Sequence, residues 1–89
     1  MTMAGNGLVK LVEELGELTQ VAAKKLAYMK TDAHPDGTSL KARMEEEMAD
    51  VIAACAFVTN QFGLDENIMG ARVEKKLKLF AEWHARTDN

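Results

Sequence analysis

Proline occurs once in this sequence, at Pro35, cysteine once, at Cys55, and aromatic residues make up 6% of its 89 positions. A lone cysteine excludes an intrachain disulfide, and its setting in an apolar stretch predicts a small buried thiol in a reducing, cytoplasmic environment. Basic charge is not in excess: 11 Lys and Arg stand against 14 Asp and Glu, for a net charge of −3. No extended basic field tracks a nucleic acid backbone, so a nucleic acid partner is not expected. Long apolar runs are also missing, because Asp50 breaks the longest one. The stretch from Met1 to Gly7 has neither the basic nor the apolar region of a signal peptide, so no membrane association is expected.

What remains, an apolar share of 47% with one proline, suits one folded domain over residues 1–89. A chain this short buries only roughly 60 to 65% of its unfolded surface, so a partner subunit would add useful apolar burial. Self-association is therefore expected.

The apolar residues Leu8, Leu11, Val12, Leu15, Leu18, Ala22, Leu26 and Met29 recur every three or four positions, which predicts an amphipathic helix over about 7–30. Turn formers crowd 31–38, and Pro35 disfavours helix at His34, so this reads as a polar loop. A second helix is expected over about 39–62, capped from Ser39, Thr38 or Asp36 and ended at Gly63. From Met48 to Val58 Asp50 is its only charged residue, which predicts burial inside a bundle. Asp65 as N-cap and the stripe Met69, Val73, Leu77 and Phe80 predict a third helix over about 65–85, with the last residues fraying. The fold class is all-α, a helical bundle of three main helices whose core is completed by dimerisation.

Two acid pairs stand out, Glu14 with Glu17 and Glu47 with Asp50, each at i, i+3 spacing. That spacing puts each pair on one helix face. If the two helices pack antiparallel, four carboxylates converge, and such a cluster stays ionised only around a cation. Oxygen-only ligands favour Mg²⁺ or Mn²⁺ over zinc. A di-iron centre is disfavoured because neither His34 nor His84 completes a Glu-x-x-His motif with these acids. The glutamates Glu13, Glu14, Glu17, Glu45, Glu46 and Glu47 would also serve as ordinary solvated surface. Asp50 argues for a site, since a carboxylate in an apolar helical run is costly unless it is paired or metal-bound. A salt bridge to Arg43 or Arg72 is the structural alternative.

The phrases Val12-Glu13-Glu14-Leu15-Gly16-Glu17-Leu18 and Glu46-Glu47-Met48-Ala49-Asp50-Val51, followed by Arg72, Lys75-Lys76 and Phe80, resemble the MazG-type all-α nucleoside triphosphate pyrophosphohydrolases in order and character. The likeness runs from about Leu8 to His84. It implies a dimer or tetramer in which Glu14, Glu17, Glu47 and Asp50 bind Mg²⁺, with Glu13 as a further ligand used in some relatives. Two features depart from the family pattern: the stretch between the acid pairs is at the long end, and little sequence precedes the first helix.

The activity implied is Mg²⁺-dependent hydrolysis of a (deoxy)nucleoside triphosphate to the monophosphate and pyrophosphate, in nucleotide-pool control or housecleaning. The reaction expected is in-line attack by water on the α-phosphorus, for which Mg²⁺ would supply a more acidic water and neutralise phosphate charge, with Glu14 or Glu17 as the candidate to take the proton. Arg72 and Lys76, with Lys75 and Lys78 the weaker candidates, would supply cations for the outer phosphates, although a solvated helix face looks the same. Asn60, ten residues beyond Asp50, offers an amide to the nucleotide and serves equally as a helix-end cap. Tyr28 and Trp83 are read first as core or interface residues, and His34 and His84 as surface residues. The base is left open. The competing reading is a non-catalytic helical dimerisation module, in which the acids are surface charge and the second helix is an interface.

Overall fold

Asn6 starts the first helix: its side-chain oxygen accepts the backbone N–H of Leu8 at 2.8 Å, satisfying one of the donors that a helix beginning leaves unpaired. The structure is a computed structural model that describes residues 6–34 and 36–87. Pro35 and both chain ends lie outside these residues, and with them the expectations for a leaderless start and a frayed terminus, whereas the described residues of 31–38 are non-helical, as expected of a polar loop. Three helices make up the described chain, α1 (Gly7–Ala27), α2 (Leu40–Phe62) and α3 (Glu66–Thr87). The all-α expectation holds, and none of the three is long and apolar enough to cross a membrane.

Helix α1 ends three residues before the expected Lys30. Lys25 draws the chain into a turn there, its Nζ donating to the carbonyl oxygens of Met29 and Thr31 at 3.4 and 3.1 Å. The connection to α2 is then clasped by Asp32. One carboxylate oxygen accepts the Ser39 hydroxyl, the other accepts the Lys41 N–H, and the Asp32 carbonyl accepts the Leu40 N–H, each at 2.6 Å. Ser39 caps α2 by accepting the Ala42 N–H at 3.1 Å. These contacts hold the Asp32 carboxyl below its ordinary range, the Ser39 hydroxyl contributing most and the Lys41 N–H next.

At the far end of α2, Gly63 takes the left-handed conformation with φ of 61°, and the Leu64 N–H reaches back to the Thr59 carbonyl at 3.0 Å. That is a Schellman stop, which glycine adopts without a Cβ penalty. Asp65 opens α3 by accepting the N–H groups of Asn67 and Ile68 at 2.8 and 3.1 Å.

Helices α1 and α2 form an antiparallel hairpin. Its seam buries Val21, Leu40, Ala54 and Val58, and at the open end the Gly7 N–H donates to Gln61 Oε1 at 2.8 Å. Helix α3 departs from the expected bundle: it packs along neither α1 nor α2 and buries none of its residues. Two features follow. The radius of gyration is 16.1 Å against roughly 12 Å for a compact domain of this length, and the molecule is only 16 Å thick along its shortest axis.

The expected burial of α2 is corrected as well. Ile52 is 65% and Phe57 59% exposed, and Met48 is also open. Asp50 and Cys55 are likewise exposed rather than buried. The physical reason is that two helices form only one seam, so a helix apolar on several faces buries just the face turned to its neighbour. The accessible surface is 7126 Å², where a folded monomer of 9.8 kDa exposes roughly 5,200 Å².

Candidate metal centre

The antiparallel seam brings the two acid pairs together. Glu14 and Glu17 of α1 and Glu47 and Asp50 of α2 each offer a carboxylate oxygen, and these four oxygens lie within 4.8 Å of one another. The hairpin's two end contacts set this register, through Gly7 and Gln61 at one end and the Asp32 clasp at the other. Glu14 and Glu47 turn inward and are half-buried, while Glu17 and Asp50 form the exposed rim.

Electrostatics mark the inner pair. Burial, followed by the charge of Glu17 and then Asp50, pushes the Glu14 carboxyl above its ordinary value. Glu47 is raised in the same order of causes, with the hydrogen bond that its protonated carboxyl donates to Glu17 adding to the effect. Both shifts disfavour the charged form, as expected where like charges share a partly dry site. One oxygen of each, Oε2 of Glu14 and Oε2 of Glu47, is shielded from solvent and meets no hydrogen-bond partner among the described residues. Such atoms carry a desolvation cost that a bound cation would offset.

The donor set fits a hard divalent cation. All four groups are carboxylates, with no imidazole or thiolate in the cluster, which suits Mg²⁺ or Mn²⁺. The 4.8 Å spread is close to the roughly 4.2 Å between opposite ligands of an octahedral Mg²⁺, so small side-chain rotations would bring them into range. Acid clusters of this kind also occur on protein surfaces with no ion. Glu13 stays at the edge, exposed and 3.5 Å from Lys10 Nζ, and its charge adds to the upward pressure on Glu14.

The other expected residues are not gathered here. Arg72, Lys75 and Lys76 ride on α3, which does not pack on the hairpin. Lys76 instead sets its ammonium 5.9 Å from the centroid of the Phe80 ring, a cation–π contact. Asn60 sits near the end of α2, roughly 15 Å along the helix from Asp50, and its carbonyl accepts the Gly63 N–H at 3.4 Å. Tyr28 meets His34 edge to face, with ring centroids 5.8 Å apart.

Lys10 is the basic residue that sequence reasoning passed over. It lines, with Glu14, Asp50, Ala53, Ala54 and Phe57, a cavity of about 350 Å³ beside the acids. The signal was present, since Lys10 precedes Glu14 by one helical turn and so shares its face. A second cavity, of about 500 Å³, lies toward the loop end, walled by Met44, Met48 and Glu45 with Lys25, Asp32 and Lys41. Compared with protein-family models, curated proteins and solved structures, the chain has no match.

Proposed function

We propose that this chain is a Mg²⁺-dependent nucleoside triphosphate pyrophosphohydrolase of the MazG type, cutting a (deoxy)nucleoside triphosphate to the monophosphate and pyrophosphate. One observation carries the reading: four carboxylates from two antiparallel helices have oxygens within 4.8 Å of one another, and the two inner ones keep a buried oxygen without a partner. The resemblance of the two acid phrases to that family supplies the reaction.

Glu14, Glu17, Glu47 and Asp50 would hold the metal. Bound there, Mg²⁺ supplies neutralisation of the phosphate charge and a more acidic water. Glu14 and Glu17 are the candidates for taking the water proton. Glu17 has the open position on the rim, and Glu14 lies beside it on the inner side. Lys10 borders the same cavity and offers a positive charge to a phosphate. Arg72, Lys75 and Lys76 would reach this site from another subunit, given where α3 stands.

Self-association belongs to the same proposal. The surface exceeds that of a typical monomer of this mass by roughly 2,000 Å², an amount comparable to a stable protein interface. Leu77, Phe80 and Trp83 on α3 and Ile52 on α2 are among the exposed apolar residues. A homodimer or homotetramer in the cytoplasm is the form we propose. The same surface would serve a purely structural dimerisation module, which leaves the buried carboxylate oxygens without an explanation.

The deciding experiment incubates the protein with Mg²⁺ and a panel of ribo- and deoxyribonucleoside triphosphates and separates the products. Monophosphate with pyrophosphate is expected. Diphosphate with orthophosphate as first products, or no turnover across the panel, overturns the proposal.

A further inference from the structure

The cavity beside the acids has two unlike walls. On α2, Asp50, Ala53, Ala54 and Phe57 follow at i, i+3, i+4 and i+7, so one strip of that helix runs from the carboxylates to the phenyl ring over roughly 10 Å. On α1, Lys10 and Glu14 line the opposite side one turn apart. One edge of the Phe57 ring packs close to the Gly7 backbone, its Cδ1 lying 2.6 Å from where a Cβ on Gly7 would stand. The rest of the ring is open, at 59% exposure. The two alanines keep the floor between ring and acids low. The cavity is an open groove, and its volume of about 350 Å³ falls at the small end of the range for ligand sites.

We infer that this strip seats the sugar and base of the substrate, with the base stacked on Phe57 and the alanine methyl groups, so that the phosphates lead away across Glu14 and Asp50. The inference rests on the pyrophosphohydrolase reading above and assigns the part of the site that reading leaves open. Continuity carries it. Acids and apolar floor line one cavity, so a group tethered to a phosphate at the acids reaches the floor directly. The strip also fixes what kind of recognition follows. Ala53, Ala54 and Phe57 present no side-chain donor or acceptor, so they attract the π-face of any base without reading its edge. This chain's own contribution is therefore affinity with little choice between bases, in contrast to a pocket of hydrogen-bonding groups.

The second cavity is the rival seat. It is larger, but none of the four clustered acids lines it.

The test is calorimetric binding, with Mg²⁺, of α,β-imido ATP, α,β-imido UTP and inorganic tripolyphosphate to the full chain and three variants. Phe57→Ala removes the ring, Ala53→Leu raises the floor, and Met44→Ala alters the rival cavity. Both strip variants are expected to weaken the imido nucleotides by about tenfold, Ala53→Leu penalising the purine more. Tripolyphosphate binding should hold within about twofold, a shift below what one lost contact produces. Met44→Ala should change nothing. Unaltered nucleotide binding in both strip variants overturns the assignment and leaves the pyrophosphohydrolase reading standing. Parallel loss of tripolyphosphate, or sensitivity to Met44→Ala alone, also overturns it. Failure of the unmodified chain to bind either nucleotide or tripolyphosphate overturns the reading and the inference together.

Discussion

The backbone N–H of Gly7 donates to Oε1 of Gln61 at 2.8 Å, joining positions 54 apart in the chain. The contact needs glycine, since a Cβ there would lie 2.6 Å from Phe57 Cδ1 and 2.7 Å from Gln61 Oε1. Gln61 can swing aside, but the Phe57 ring must shift as a body. Gly7→Ala is expected to cost about 1–3 kcal/mol through overpacking, less a fraction of a kcal/mol from better helix propensity. Thermal melting followed by circular dichroism checks this, and an unchanged midpoint would refute the close approach.

Glu47→Gln and Asp50→Asn are each expected to lower Mg²⁺-dependent pyrophosphate release by at least about 100-fold, the scale of losing one electrostatic partner of the reaction. Helical content should be preserved. Full activity in either variant would remove the acids from the site.

Acidity should reveal the inner pair without any substrate. Glu14 and Glu47 lie above the ordinary value of 4.5, so the folded metal-free chain keeps protons there that the unfolded chain releases. Their unfavourable contribution is absent below 4.5 and grows as pH rises through their raised values. Asp32 runs the other way. Held below 3.8, its favourable contribution is present above that pH and lost as pH falls through its lowered value. In chelator the melting temperature should therefore rise on acidification from neutral toward 4.5 and fall again below 3.8. Saturating Mg²⁺ should lift the neutral limb and flatten it, and Glu47→Gln should lift it without metal. A melting temperature in chelator that stays level between pH 7 and 4.5 would count against the clustered acids.

Assembly should be visible by dilution. Sedimentation at micromolar protein is expected to give a dimer or tetramer, with melting temperature and activity falling together as the concentration drops. A stable monomer with full activity would contradict the self-association proposed here.

Both ends of α2 and the start of α3 were legible because each has a local chemical marker. Ser39 and Asp65 cap, Gly63 stops, and a period near 3.6 marks the faces between them. The acid cluster was legible for the same reason: i, i+3 spacing on two helices joined by a short loop leaves one antiparallel arrangement that faces the pairs together. The position of α3 was not. Met69, Val73, Leu77 and Phe80 announce a face that wants cover, but periodicity is silent on whether the same chain or another provides it. The apolar run around Asp50 misled for a related reason, since composition reports which surface is costly to expose and not whether one chain has neighbours enough to hide it. The cavity past the acids depends on Ala53, Ala54 and Phe57 lying opposite Lys10, a pairing between helices that no local signal encodes.

The Asp32 clasp has a consequence for how this chain can change length. Each residue added to a helix advances it by about 1.5 Å and turns everything beyond by about 100°. One residue inserted in α2 between Ser39 and Glu47 would swing both α2 carboxylates off the seam while leaving the helix itself intact. The same insertion between Asp32 and Ser39 should leave the acids in phase, because the Asp32 oxygens grip Ser39 and Lys41 directly. The four acids are thus held in phase by counted residues on the helices, and freedom to gain or lose residues is confined to the short segment that the clasp bypasses.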